Sequence, residues 1–198
     1  MKVEIELHRD GESKVIEYDY ARRAADEKPM ILDVLLQAQA TDIPDLAFRY
    51  GCRARNCGVC TVDVNGRPRL ACRARIKEGD RVSPVNTLPP LADLVVRRDG
   101  VARQMRGRLT SVAQGNDLNQ DPPEDYHKLT ACIECYACLQ GCPMHARNFE
   151  DSNDLGASKG YRHGNPFSLL KLQMLRIDPL SSEAGREQAL EHAKYLGL

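Results

Sequence analysis

Tyr50-Gly51-Cys52-Arg53-Ala54-Arg55-Asn56-Cys57-Gly58-Val59-Cys60, followed by a fourth cysteine at Cys72, is the stretch that decides the fold. C-x4-C-x2-C with a more distant cysteine is the ligand spacing of a plant-type [2Fe–2S] centre. Iron in such a centre takes thiolate sulfur in a roughly tetrahedral array. Three cysteines in one tight loop can hold the cluster and wrap backbone N–H groups around its sulfurs. Cys72, expected on a neighbouring strand, would close the cage. Gly51 and Gly58 are expected where the backbone must come close without a Cβ. Structural zinc is the competing reading, since Cys57 and Cys60 make a tight pair and the gap from Cys52 also suits zinc. Disulfides are the third, weighed against a reducing compartment.

Eight cysteines are present, and the other four form a second run, Cys132-Ile133-Glu134-Cys135-Tyr136-Ala137-Cys138-Leu139-Gln140-Gly141-Cys142-Pro143. C-x2-C-x2-C-x3-C-P is the bacterial ferredoxin pattern for a [4Fe–4S] cubane, in which the fourth cysteine serves another cluster. No cysteine follows Cys142. Three resolutions stand open: Cys142 bends back to complete a local cluster, a non-cysteine ligand such as His145 or a partner's residue serves, or further ligands lie outside this sequence.

The bulk composition narrows the rest. Twenty-eight Lys and Arg balance 28 Asp and Glu, which argues against nucleic acid as a partner, whose binding needs a cationic excess. There is no Trp and there are only three Phe, so a large self-sufficient core is not expected. No apolar run approaches the length of a membrane span, and the N-terminus lacks a signal-peptide apolar region. The expected setting is the cytoplasm, or the cytoplasmic face of a membrane through partner subunits. No G-x-G-x-x-G, P-loop, H-E-x-x-H or G-x-S-x-G occurs, so no substrate-converting site is expected in this chain. His8, His127, His145, His163 and His192 read as surface or capping residues, with His145 the best exception.

Along the chain, Lys2–His8 and Lys14–Tyr20 alternate around Asp10-Gly11 and predict a hairpin. Met30–Ala40 repeats Ile31, Val34, Leu35 and Ala38 at helical spacing behind Pro29. Thr61–Val64 and Pro68–Cys72 flank the turn pair Asn65-Gly66, and Arg81–Val85 predicts another strand. This is an α+β pattern of the β-grasp kind. Residues 97–125 read as a connecting stretch whose Arg97, Arg98, Arg103, Arg106 and Arg108 form either a solvated face or a contact with an acidic partner. It continues into the polar stretch Gln114–Asp125. Beyond it, Lys128–Leu139, Phe167–Arg176 and a segment from Ser182 to about Tyr195 predict helices, with Asn165-Pro166 and Ser181-Ser182-Glu183 as start signals. The division expected is therefore a β-grasp [2Fe–2S] domain over 1–100, a connector over 101–125 and an all-α helical [4Fe–4S] domain over 126–198.

Pro44–Cys52, Cys57-Gly58-Val59-Cys60, Asn65–Cys72, Ser83-Pro84, Leu88-Pro89, Asp93–Val96 and the Cys132–Pro143 run together resemble the iron–sulfur subunit of succinate dehydrogenase and fumarate reductase. The helical stretch Asn165–Leu196, with Asp178-Pro179, is similar to the same family. The resemblance implies a ferredoxin-like β-grasp domain followed by a helical ferredoxin-like domain. It implies an oxidoreductase subunit relaying electrons between an FAD-containing catalytic partner of the succinate/fumarate type and a quinone or other acceptor. By it Cys52, Cys57, Cys60 and Cys72 hold [2Fe–2S], Cys132, Cys135 and Cys138 hold [4Fe–4S], and Cys142 belongs to a third, [3Fe–4S], cluster. FAD would sit only on the partner, and a membrane-anchor or other acceptor subunit would complete the relay. The family's second cysteine motif is not found before Leu198, which leaves the helical domain incomplete by that standard. The alternative readings are a ferredoxin-like module of a soluble heterodisulfide-reductase- or hydrogenase-type complex, and a structural protein whose metals only brace a small core.

Overall fold

The computed structural model describes residues 1–105, 119–150 and 161–198, the side chains of 149 and 150 excepted. Arg106, Arg108 and the 114–118 part of the connector lie outside the described residues. The chain forms two compact units, Met1–Arg97 with Ile133–Gln140, and Arg98–Cys132 with Gly141–Leu198.

In the first unit, β1 (Lys2–Arg9) and β2 (Glu12–Asp19) pair antiparallel from Lys2↔Asp19 to Arg9↔Glu12. Asp10 (φ 51°) and Gly11 (φ 82°) make the turn, the left-handed pair that matches strand twist. β3 (Thr61–Val64), β4 (Arg67–Leu70) and β5 (Arg81–Ser83) complete a mixed sheet of order β2-β1-β5-β3-β4. Its central pair is parallel, with Ile5 opposite Val82. That parallel pairing needs a crossover; α1 (Ile31–Ala40) lies in it. Ile31, Val34, Leu35 and Ala38 are all buried and share a core with Val3, Ile5, Val62 and Val82. The helix start differs slightly from expectation. Pro29 precedes the cap, and the Asp33 carboxylate accepts the Met30 N–H at 3.0 Å. A small hairpin, β6 (Pro90–Ala92) and β7 (Val95–Val96), is too short and Pro-rich to be read from alternation.

The elements of the second unit, among the described residues, are helices: α2 (Asp99–Arg103), α3 (Glu124–Thr130), α4 (Pro143–Glu150), α5 (Pro166–Ile177) and α6 (Glu183–Tyr195). Asn165 caps α5 by accepting the Ser168 N–H at 3.0 Å, with Pro166 opening the helix. Ser182 caps α6 through the Gly185 N–H. These are the start signals the sequence carries, satisfying backbone donors that have no intrahelical partner. α5 and α6 bury Leu172, Ala189 and Leu196 together. Gln104, buried, gathers this unit's polar groups: its side chain donates to His163 O, its Oε1 accepts from Asn165, and its backbone carbonyl meets His192 Nε2 at 3.1 Å.

Two expectations are corrected. Helix does not run from Lys128 to Leu139. α3 ends at Thr130, Glu134 (φ 55°) and Tyr136 (φ 58°) are left-handed, and only Ala137–Leu139 winds as a 3₁₀ turn. A straight helix would string cysteines spaced by three along one face, whereas a loop can wrap them. Second, His145 and His192 are buried rather than surface residues.

Candidate metal centre

The first four cysteines enter the site from a loop, a strand start and a turn, each fixed by backbone bonds. The loop's entry is clamped by Asp93, itself buried. Its carboxylate takes Arg9 Nε at 2.9 Å and the Ala47 N–H at 2.8 Å, and Leu94 N–H donates to Ala47 O. Residues 51–56 are exposed, Cys57 is half-buried and Cys60 is buried. Cys60 leads directly into β3, and its carbonyl accepts the Ala71 N–H at 3.0 Å. Asn65 (φ 51°) and Gly66 (φ 77°) reverse the chain as expected. Cys72 then lies just past β4, not on it, because Arg73 and Ala74 both donate to Leu70 O and turn the chain there.

The four sulfurs come together as two pairs. Cys52 Sγ accepts the N–H groups of Ala54 and Asn56 at 3.3 Å each. These bonds, then hydrogen bonding with Cys57, bring its thiol down to about 7, as hydrogen bonds to a charged form do. Cys60 is in contact with Cys72 in the same way, through both the Cys72 backbone N–H and its side chain, with Cys57 nearby. Burial is the larger influence there and pushes Cys60 up to about 11, and a coordinating thiol is deprotonated outright by its metal. Cys52 with Cys57 and Cys60 with Cys72 is the arrangement that two irons, each taking two protein thiolates, require. Among the described residues no group of three or more His, Cys, Asp or Glu is placed to hold a single metal ion. Paired in this way, the four thiols fit a binuclear iron–sulfur centre.

Gly58 is the residue around which the site closes. A Cβ there would lie 2.1 Å from Ile133 O and 2.8 Å from Cys135 N, and its φ is +60°. The backbone of the first cysteine loop thus touches the backbone of the second cysteine run. Gly51 is different, since a Cβ there would meet Cys57 Sγ at an ordinary 3.5 Å; close approach is not what requires that glycine.

Within the second run, Cys135 and Cys138 belong to the first unit, beside buried Tyr136 and Leu139, while Cys132 and Cys142 belong to the second. Cys132 N–H donates to Leu129 O at the end of α3, and Cys142 O accepts the Ala146 N–H at the start of α4. His145, one turn along α4, is 2% exposed and meets Tyr161 edge-on at 5.3 Å. Sequence reasoning passed over the Arg9–Asp93 clamp, because nothing in spacing links residues so far apart.

A mixed sheet with one crossing helix, and four thiols drawn from a C-x4-C-x2-C loop and a turn, define a ferredoxin-like iron–sulfur protein. The chain belongs to the 2Fe-2S iron-sulfur cluster binding domain family, whose model matches residues 3–103. It is 40% identical over 124 residues to a fumarate reductase (CoM/CoB) subunit of Methanothermobacter marburgensis, covering 60% of this chain and 25% of that one. It is 30% identical to the fumarate reductase iron-sulfur subunit of Escherichia coli O157:H7, covering 63% of this chain and 56% of that one. Against the mitochondrial succinate dehydrogenase [ubiquinone] iron-sulfur subunit 1 of Oryza sativa subsp. japonica the identity is 32%, over 67% of this chain and 52% of that one. The chain therefore spans between a quarter and about half the length of these relatives. In fold it is similar to a chain of the Mycobacterium smegmatis Sdh1 complex, with a TM-score of 0.79 and 23% identity over 98% of this chain and 81% of that one. No helix among the described residues is long and apolar enough to cross a membrane.

Proposed function

We propose that this chain is the iron–sulfur electron-transfer subunit of a succinate/fumarate-type oxidoreductase, passing electrons between an FAD-bearing partner and a quinone or another acceptor. The pairing of Cys52 with Cys57 and Cys60 with Cys72 carries this reading. When bound, a [2Fe–2S] centre supplies one-electron transfer at a potential set by hydrogen bonds to sulfur, local charge and exposure. Ala54 and Asn56 donate to the Cys52 sulfur and so favour added negative charge. Cys60 excludes water on the inner side, whereas Cys52 lies at the exposed rim, the edge at which a partner can approach. Gly58 lets the 133–135 backbone lie against the loop, giving a short through-protein path toward the second run.

Cys132, Cys135 and Cys138 are assigned to [4Fe–4S] by their spacing. Cys142 is either its fourth ligand or a ligand of a third cluster completed by residues beyond this sequence. A second reading keeps the flavoprotein and replaces the quinone with a soluble partner that exchanges electrons at the other end of the relay. It is favoured by the 40% identity to a subunit named for fumarate reduction with CoM/CoB.

Iron and acid-labile sulfide per chain, with EPR of the reduced protein, test the assignment. Roughly two irons leave only the first site, about six establish a self-contained cubane as well, and about nine indicate a three-cluster relay. Cys60→Ser is expected to abolish the [2Fe–2S] signal. Colourless anaerobic protein containing zinc would defeat the proposal.

A further inference from the structure

The rim of the cysteine loop has an unusual charge. Beside the cysteines, residues 46–62 and Arg73 next to Cys72 supply Arg49, Arg53, Arg55 and Arg73 and no Asp or Glu, in a chain of zero net charge; the exposed carboxylate nearby is Glu134, on the segment that lies against Gly58. All four arginines are exposed. Elsewhere Arg9, Arg23, Arg81 and Arg103 each face a carboxylate. None of these four rim arginines does so among the described ion pairs.

Two of them stand where the backbone disfavours them. Arg53 has φ 53° and Arg55 φ 63°, the left-handed region that glycine enters freely and Cβ-bearing residues do not. The left-handed turns at Arg53 and Arg55 precede the Ala54 and Asn56 N–H groups that donate to the Cys52 sulfur, so both side chains are carried on the backbone that wraps the site. Tyr50 adds an aromatic face: it is 47% exposed, stacks on Phe48 at 5.7 Å, and carries the Arg53 guanidinium 5.6 Å above its ring. Exposed Tyr and Arg that are already ordered by one another are the residue types that anchor protein interfaces.

We infer that this rim is the docking surface for a protein partner whose facing surface is rich in Asp and Glu, with Tyr50 as anchor and Arg53 and Arg55 as the charge contacts. The inference rests on the electron-transfer role proposed above and specifies the chemistry of the partner's surface. Guanidinium groups that outnumber the carboxylates around the loop repel a cationic surface. Bidentate Arg–carboxylate pairing supplies register as well as attraction, and steering by such a patch accelerates encounter at low salt.

The test is calorimetric titration of the oxidised, cluster-loaded full chain with an acidic flavodoxin as the probe, at low and at high salt. Binding of the oxidised protein does not depend on cluster potential, so tuning by the arginines does not enter. Association is expected to weaken at least about tenfold on raising the salt. Arg53→Gln with Arg55→Gln should weaken it about tenfold at low salt and flatten the salt dependence. Arg55→Gly, which suits the backbone, should keep the fold and still weaken binding, and Tyr50→Ala should weaken it at both salts. Salt-independent binding, an unaffected double variant, or binding to phosphatidylserine vesicles in place of flavodoxin would overturn the inference. Visible absorption and EPR of the same samples separate the two ideas. A coloured protein that ignores the acidic probe defeats the docking surface alone. A colourless protein that still binds it defeats the electron-transfer role alone.

Discussion

Arg55 shows how a single residue can act on a centre it does not ligate. Its charge lies within the loop between Cys52 and Cys57, and added negative charge on reduction is stabilised by nearby cations. Arg55→Glu is expected to lower the [2Fe–2S] midpoint by some tens of millivolts, screened by solvent; a potentiometric EPR titration giving an unchanged or higher value refutes this. Asp63 is the opposite kind of residue, a carboxylate on β3 that is 1% exposed. One oxygen accepts the Asn86 N–H at 3.1 Å and the other, among the described residues, has no partner. Burial holds its pKa above the usual carboxylate value. The folded state therefore binds a proton that the unfolded state has already released. Stability consequently falls as pH rises from the unfolded-state value, about 4, through the folded-state one. Asp63→Asn should raise the melting temperature at neutral pH, by about 1 kcal/mol in stability, with the gain vanishing below about pH 4. A gain that persists in strong acid would show that charge burial is not its cause.

Among elements, the cysteine loop depends on its contact with the 133–140 segment more than on its own spacing. Gly58→Ala places a carbon 2.1 Å from a backbone carbonyl, where no flexible side chain can yield. A loss of about 3 kcal/mol or more and reduced iron content are expected. Gly66→Ala, with φ +77° but open space around its Cβ, should lose only about 1 kcal/mol, the backbone share alone. Thermal unfolding of the two variants side by side checks this; equal effects would mean that backbone conformation, not packing, sets the Gly58 requirement. The hairpin β3–β4 and the capped helices α5 and α6 were legible in the sequence, since Asn65-Gly66, Asn165-Pro166 and Ser182 act through neighbours in the chain. The helix expected over Lys128–Leu139 was not to be had from local signals. Propensity favoured it, and the left-handed Glu134 and Tyr136 reflect tertiary demands that override propensity.

At the scale of the whole molecule, metal and fold are expected to be coupled unevenly. The first unit has a core around Ile5, Val34, Leu35 and Val82, in which Cys60 is buried and against which Cys72 packs, while Cys52 lies outside it. Its exposed loop 51–56 has little besides the backbone bonds to Cys52 to order it. Removal of iron by a chelator under reducing conditions should therefore abolish amide protection in residues 51–60 while leaving β1, β3 and β5 protected. Hydrogen exchange reads this directly, and loss of protection across the whole sheet would show the cluster to be an obligatory part of the core.

The sequence by itself determined the hairpin turns and the caps of the last two helices, and it carries the cysteine spacing on which the proposed ligand set rests. All of these depend on residues within a few positions of one another or on a spacing that iron chemistry dictates. Only the tertiary structure decided which cysteines pair, that Cys72 lies in a turn, that Asp93 clamps the loop's entry through Arg9, and that Gly58 rather than Gly51 meets another backbone. Those are contacts between residues distant in the chain, set by the parallel pairing of β1 with β5 and by the packing of 133–140 on the loop, and no local pattern encodes them.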